Sequence, residues 1–187
     1  MSILIGCEFS GIVREAFRTN GVDAWSCDLL SSEIPGNHIQ DDILRHLEDG
    51  WEGLIAFPPC PYLTVSANKH YKINPERYWL RLKAAEFFLK LALSDIPKKS
   101  IENPIGVMSG FYRKPDQIIQ PWMFGHGETK ATCLWLTNLP LLKPTNIVDG
   151  REGRVWKCPP PAGSLERKKP DIFRHSSGNG RTMDFLK

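Results

Sequence analysis

The chain has 187 residues, 41% of them hydrophobic, with a net charge of +3. That suits one domain with a full core; no window approaches the roughly 18–20 apolar residues of a membrane span, and "MSILIGCEFSG" lacks the basic lead of a secretory signal. Five scattered cysteines (Cys7, Cys27, Cys60, Cys133, Cys158), odd in number and without a CxxC pair, predict reduced thiols in a cytoplasmic protein rather than a disulfide framework or a zinc site.

"SILIGCE" (2–8) is a short apolar run and predicts a buried first strand. "SGIVREAFRTNG" (10–21) has helical apolar spacing at Ile12, Val13, Ala16 and Phe17, with Ser10 as N-cap and Asn20-Gly21 as the stop. "VDAWSCD" (22–28) alternates as a second strand ending at Asp28, and "DDILRHLEDG" (41–50) reads as a short helix closed by glycine. "WEGLIAF" (51–57) is the next strand. "NPERYWLRLKAAEFFLKLAL" (74–93) is the clearest helix, capped by Asn74 with Pro75 at the first position. Its stripe Trp79, Leu82, Ala85, Phe88, Leu89 and Ala92 is expected to face the core. "KKSIEN" (98–103) and "TKATCLWLT" (129–137) are further strands.

Strands alternating with helices predict an α/β fold: a mainly parallel sheet with helices on both faces, its ligand site beyond the carboxyl ends of the strands. Those ends carry the unusual residues: Glu8-Phe9-Ser10-Gly11, Asp28, Pro58-Pro59-Cys60 and Glu102-Asn103-Pro104. In the first turn, Gly11 permits close backbone approach and a helix start offers free N–H groups. Asp28, about twenty residues on, can accept ribose hydroxyls, which suggests a nucleoside-containing cofactor. Two prolines fix the chain direction ahead of Cys60, so that thiol is placed rather than merely buried. A thiolate and a carboxylic acid at neighbouring strand ends can act on one ring, the thiolate adding to carbon and Glu102 protonating nitrogen. His126, Glu128 and Cys133 have no metal-ligand spacing, so no metal is expected. The span 1–105 reads as a cofactor and catalytic core and 106–150 as substrate-side loops with a later strand. Residues 151–187, with nine Lys or Arg and four Asp or Glu, read as a basic Pro/Gly-rich extension within a single 1–187 domain, which leaves 1–150 at net −2. Such a tail can meet phosphates.

The ordered set "CEFSGIVREAF", "DAWSCDLL", "QDDIL", "FPPCPYLTVS" and "IENP" resembles the catalytic core of the cytosine-C5 methyltransferases, over about residues 3–105. With "QPWMFGHGETKATCLWL" (120–136), the chain also looks like the short methyltransferase-like proteins often encoded by bacteriophages. The resemblance implies a Rossmann-like fold and S-adenosylmethionine as cofactor. It places Phe9, Ser10 and Gly11, with Glu8 beside them, at the methionine end, Asp28 on the ribose, Asp42 on the adenine amino group, and Pro58 at the pocket edge. It makes Cys60 the nucleophile at C6 and Glu102 the partner of N3 and N4, with Asn103 supporting the loop. Pro59, Ser66 and Lys130, the last at a phosphate, complete the substrate side. The loop "YLTVSANKHYKIN" is expected to be free to close over the base. The implied partner is cytosine-containing nucleic acid or a cytosine nucleotide, in the host cytoplasm if phage-encoded, without a membrane and with a second subunit or homo-oligomer possible.

Departures from the family pattern bear on the substrate. Pro61 stands for the usual Gln, Val13 for a second Gly, Pro104 for Val, and the Gln-x-Arg-x-Arg element is missing. The length leaves no room for a separate target-recognition domain, which turns attention to a free nucleotide, a single strand, or DNA held with a second subunit. The competing non-enzyme reading is a methyltransferase fold kept to bind S-adenosylmethionine or nucleic acid.

Overall fold

The computed structural model describes residues 1–65, 68, 74–149 and 152–153, all within one compact unit, Met1–Val155. Apolar Ile3, Leu4 and Ile5 make β1 (Ser2–Gly6), and α1 (Ile12–Thr19) follows it. Then come β2 (Asp23–Asp28), β3 (His38–Gln40), a 3-10 turn (Ile43–Arg45) and β4 (Gly53–Ala56). The long helix α2 (Arg77–Ala92) leads to β5 (Lys98–Pro104), short α3 (Met108–Phe111), β6 (Gln117–Ile119) and a 3-10 turn (Pro121–Met123). β7 (Glu128–Thr129), β8 (Thr132–Thr137) and β9 (Glu152–Gly153) complete the order.

Seven strands form one sheet in the order β3-β2-β1-β4-β5-β8-β6. The first five run parallel, while β8 is antiparallel to both β5 and β6. β7 and β9 pair separately. The order reverses direction between β1 and β4, and in such sheets the crevice beyond that reversal is where ligands bind. The α/β expectation holds, with helices on both faces. Val13 and Phe17 of α1 pack on Ile3, Ile5 and Ala24. Side chains alternate along a strand, so Ile101, in register with Ala56 rather than Ile55, faces the other way. There its cross-strand partner Trp135 meets Phe88 of α2 edge-on, with ring centroids 5.0 Å apart.

Four local expectations need correction. The buried face of α2 is Arg81, Ala84, Ala85, Phe88, Leu91 and Ala92, whereas Trp79 and Leu82 are exposed. Apolar residues surround this helix, and the buried side is the one that carries Arg81. Residues 41–50 form only the 3-10 turn, with Asp42 Oδ1 accepting from Leu44 N at 3.0 Å. The late strand starts at Thr132, with Glu128–Thr129 as a separate short strand. Asn74 does not cap the helix, whose N-cap position falls to Glu76; its Oδ1 accepts from Glu76 N at 3.1 Å in the turn just before α2. Among the described residues no helix is long and apolar enough to cross a membrane. The basic tail, apart from Glu152–Gly153, lies outside the described residues.

Candidate functional site

β1 ends in a bend. Cys7 takes φ 57°, a left-handed conformation that few non-glycine residues adopt, and both Cys7 N and Glu8 N donate to Cys27 O, at 2.8 and 3.4 Å. Glu8 is buried, its Oε1 accepting the Ser10 hydroxyl. Ser10 Oγ in turn accepts from Ile12 N at 3.3 Å, but the N-cap position itself falls to Gly11 at φ 77°. Gly11 is required for a reason that composition hides. A Cβ there would meet Arg14 Nη2 at 2.7 Å and Ile34 Cβ at 2.9 Å. The close approach comes from the chain's own side chains.

Arg14 is fully buried and organises the loop after β2. Its Nε pairs with Glu15 at 2.8 Å, Nη1 donates to Ser26 and Ser32, and Nη2 donates to the carbonyls of Ile34 and Pro35. His38 Nε2 lies 2.8 Å from Leu30 O, which can only accept. Nδ1 is then left to accept the Ser26 hydroxyl, also at 2.8 Å. Glu33 N closes the loop onto Phe9 O at 2.8 Å. The result presents Asp28, whose Oδ1 accepts from Leu30 N at 3.0 Å. Burial pushes the Asp28 carboxyl above its ordinary range, and the Glu8 charge adds to it. Burial pushes the Cys7 thiol up, with the Asp28 and Asp42 charges adding, so these acids gather around the end of β1. Cys27 is pushed up to about 12, chiefly by burial. Neither thiol has the thiolate character of a nucleophile.

Across the reversal, Phe57 N continues the sheet to Gly6 O at 3.0 Å, and Pro58 is buried. Asn103 Nδ2 donates to Pro58 O at 2.9 Å. Half-buried Cys60 then opens a tight turn, its carbonyl accepting from Leu63 N at 3.0 Å and Thr64 N at 3.2 Å. The far side of that turn lies on the segment after β5: Val107 N donates to Leu63 O at 2.9 Å, and Thr64 bridges Gly106. Contact is so close that a Cβ on Gly106 would sit 2.1 Å from Leu63 O. Arg81 holds the turn from below, giving Nε to Tyr62 O at 2.9 Å and Nη2 to Asn68 Oδ1 at 2.7 Å and Thr64 O at 3.5 Å. Residues 62–65 are therefore tied down, while residues 66–67 and 69–73 of the loop expected to close over the base lie outside the described residues. The carbonyls that would make a loop open to water are here occupied by Arg81 and the β5 exit.

Glu102 and Asn103 point to opposite faces of β5. Asn103 is 1% exposed and braces Pro58. Glu102 keeps 16% of its side chain exposed and has Lys130 Nζ 3.5 Å from Oε1, with Lys130 itself 58% exposed. Burial raises the Glu102 carboxyl, and Lys130 draws it partly back. Lys130, expected at a phosphate, is thus placed on the acid.

Of the residues singled out by sequence, Glu8, Phe9, Ser10, Gly11, Asp28 and Asp42 fall at or just after the ends of β1, β2 and β3, and Pro58, Pro59, Cys60, Glu102 and Asn103 at or just after the ends of β4 and β5. Ser66 lies outside the described residues. Arg14, Arg81 and Gly106 were missed; only their long-range contacts give them meaning. Among the described residues no group of three His, Cys, Asp or Glu could hold a metal.

No family model and no curated protein matches the chain. Solved structures do. A protein described as a DNA modification methyltransferase encoded within an E. coli prophage is 15% identical, with a TM-score of 0.44, over 73% of this chain and 46% of that one. The Entamoeba histolytica methyltransferase EhMeth is 14% identical, with a TM-score of 0.48, over 79% and 57%. The chain spans about half the length of these structures.

Proposed function

We propose that the chain is an S-adenosylmethionine-dependent methyltransferase acting on C5 of cytosine, in DNA or in a free cytosine nucleotide. The observation that carries this reading is the bracketing of Cys60. The residue after Glu102 binds the Pro58 carbonyl, and the segment four residues beyond Glu102 pairs with the far side of the Cys60 turn. One strand end thus fixes both the thiol and the acid.

The acidic groups beyond β1 and β2 suit the cofactor: Asp28 for the ribose hydroxyls, Asp42 for the adenine amino group, and Glu8 to Gly11 for the methionine end. The cofactor supplies an electrophilic methyl group on sulfonium. C5 of cytosine is a weak nucleophile. Adding the Cys60 thiolate to C6 makes the C4–C5–C6 unit an enamine, with Glu102 donating its proton to N3. A carboxyl raised by burial is suited to that donation. C5 then takes the methyl group, leaving S-adenosylhomocysteine. Loss of the C5 proton to a base returns its electron pair to C5–C6 as the Cys60–C6 bond breaks and the thiolate leaves, and N3 hands its proton back to Glu102. Lys130 rests on Glu102 until the base displaces it.

The test uses S-adenosylmethionine labelled in the methyl group, with duplex DNA, single-stranded DNA, RNA and cytosine nucleotides as acceptors. Label is expected in 5-methylcytosine, at least about a thousandfold less of it with Cys60→Ala, since loss of a nucleophile removes the covalent route. Label that persists undiminished in that variant sinks the mechanism. Binding of the cofactor without transfer to any acceptor would leave a binding protein of the same fold.

A further inference from the structure

Tyr78 and Trp79, at the start of α2, are 53% and 59% exposed, and Leu82 one turn further on is exposed as well. Single apolar side chains on a surface need no explanation, but a contiguous aromatic face does. Each ring here carries a cation. Lys83 Nζ lies 5.8 Å from the centre of the Trp79 ring, and Arg81 Cζ 5.9 Å from that of Tyr78. Arg77 Cζ lies 5.2 Å from the centre of the Tyr62 ring, two residues beyond Cys60. Arg81 joins the helix face to that turn, since the same guanidinium donates Nε to Tyr62 O at 2.9 Å. Residues 76–83 carry three cations to the single acid Glu76. Among the described residues neither Arg77 nor Lys83 has an acid within salt-bridge distance, and Glu86, a turn beyond Lys83, is taken by Lys90 at 3.0 Å. The Nε of Arg77 is buried without a hydrogen-bond partner, so its ring contact, not an acid, holds this cation.

We propose that this strip binds an unpaired nucleic-acid strand, stacking its bases on Tyr78 and Trp79 and meeting its phosphates with Arg77 and Lys83. That the strand leads a cytosine to Cys60 rests on the methyltransferase reading. A stacked cation covers one face of a ring, and an exposure above half leaves the other face to a base. Exposed rings interleaved with cations match a single strand, in which every base has a face to stack and every phosphate a charge to neutralise. A duplex keeps its bases stacked on one another and gives these rings nothing to hold. A lone nucleotide at Cys60 makes no use of rings on the neighbouring helix. A protein partner also takes Tyr and Trp, but the excess of cations over acids beside the thiol turn favours an anionic polymer.

The experiment is fluorescence anisotropy of the full chain with labelled oligothymidylate, which offers no cytosine to Cys60, alone and paired with oligoadenylate. The single strand is expected to bind at least about tenfold more tightly than the duplex. Trp79→Ala should weaken it by about tenfold, and Trp79→Phe should restore most of that, since stacking needs a ring rather than a hydrogen bond. Lys83→Gln should lower the slope of log affinity against log salt by about 0.7, one phosphate contact on a single strand; this variant carries the test if Trp79→Ala does not fold. Strand affinity unchanged in both Trp79→Ala and Lys83→Gln overturns the assignment, and so does a preference for the duplex. A dimer in sedimentation that Trp79→Ala dissociates without loss of strand affinity also overturns it, in favour of a second copy on this face. Binding is read without cofactor, so the two readings fail separately. Methyl transfer to a cytosine nucleotide with no strand binding overturns this inference and leaves the proposed function standing. Strand binding with transfer to no acceptor supports the surface and removes the cytosine from Cys60.

Discussion

The Cys7–Gly11 turn and the Pro58–Val65 turn leave adjacent strands on either side of the reversal in strand order. A buried arginine stands behind each. Arg14, 0% exposed, holds the loop after β2 that closes on Phe9, and Arg81, 5% exposed, holds the turn after Cys60. Both guanidiniums are turned into backbone carbonyls, where a planar fork satisfies several acceptors at once. They differ in what they leave behind. Beyond Arg14 the remaining groups are carboxylates, Glu8 and Asp28, with acceptor capacity still open. Beyond Arg81 lie a thiol, an acid and the Lys130 ammonium. The same device thus frames a half lined by carboxylates and a half that holds the thiol, the acid and Lys130. In both, the buried arginine is spent on backbone carbonyls rather than on the acids at the strand ends.

Arg14→Met is the strongest way to break this comparison. It keeps much of the volume but strands Ser26, Ser32 and two carbonyls, and should cost roughly 3 kcal/mol or more of stability, measured by urea unfolding. At a temperature where the variant is folded, cofactor affinity should fall while the rate of Cys60 alkylation, read peptide by peptide in the mass spectrometer, stays at the wild-type value. A change in Cys60 reactivity as large as the change in affinity would mean that the two turns are not separately held.

Arg81→Lys sharpens it from the other side. A lysine keeps the charge but cannot reach Tyr62 O, Thr64 O and Asn68 Oδ1 together. Stability should drop by about 1–2 kcal/mol. Cys60 should alkylate several times faster as its turn loosens, while turnover falls and cofactor affinity holds. Unchanged Cys60 reactivity would show Arg81 to be structural only.

These arginines also show where sequence reading stops. The strands were legible because "SILIG", "DAWSCD" and "GLIA" combine short apolar runs with polar ends, and the site residues were legible because unusual chemistry falls at strand ends. The face of α2 was legible only in part, since Ala85, Phe88 and Ala92 are buried as expected. Trp79 and Leu82 lie on one apolar arc, but the core took the arc with Arg81, whose partners at 62, 64 and 68 are 13 to 19 residues away. Nothing in helical periodicity reports a buried arginine satisfied by a distant loop. Gly106 has the same character: it reads as an ordinary loop glycine until Leu63 O is found against it.

The smallest effect concerns Glu102, and its sign follows from burial. Its carboxyl lies above the ordinary 4.5, with burial the first cause and Lys130 opposing it. A group raised in the folded state stabilises the fold while it is protonated, and that contribution is lost as pH rises from the unfolded value through the folded one. Glu102→Gln, which never ionises, should therefore match the wild type near pH 4 and become more stable than it toward pH 7, by less than about 1 kcal/mol because Lys130 offsets part of the cost. Lys130→Met removes that offset. It should steepen the wild-type loss across the same window, and a second change to Glu102→Gln should abolish the dependence. If Lys130→Met leaves the pH profile as it was, the ion pair does not act on Glu102 in solution. The acid would then be tuned by burial alone.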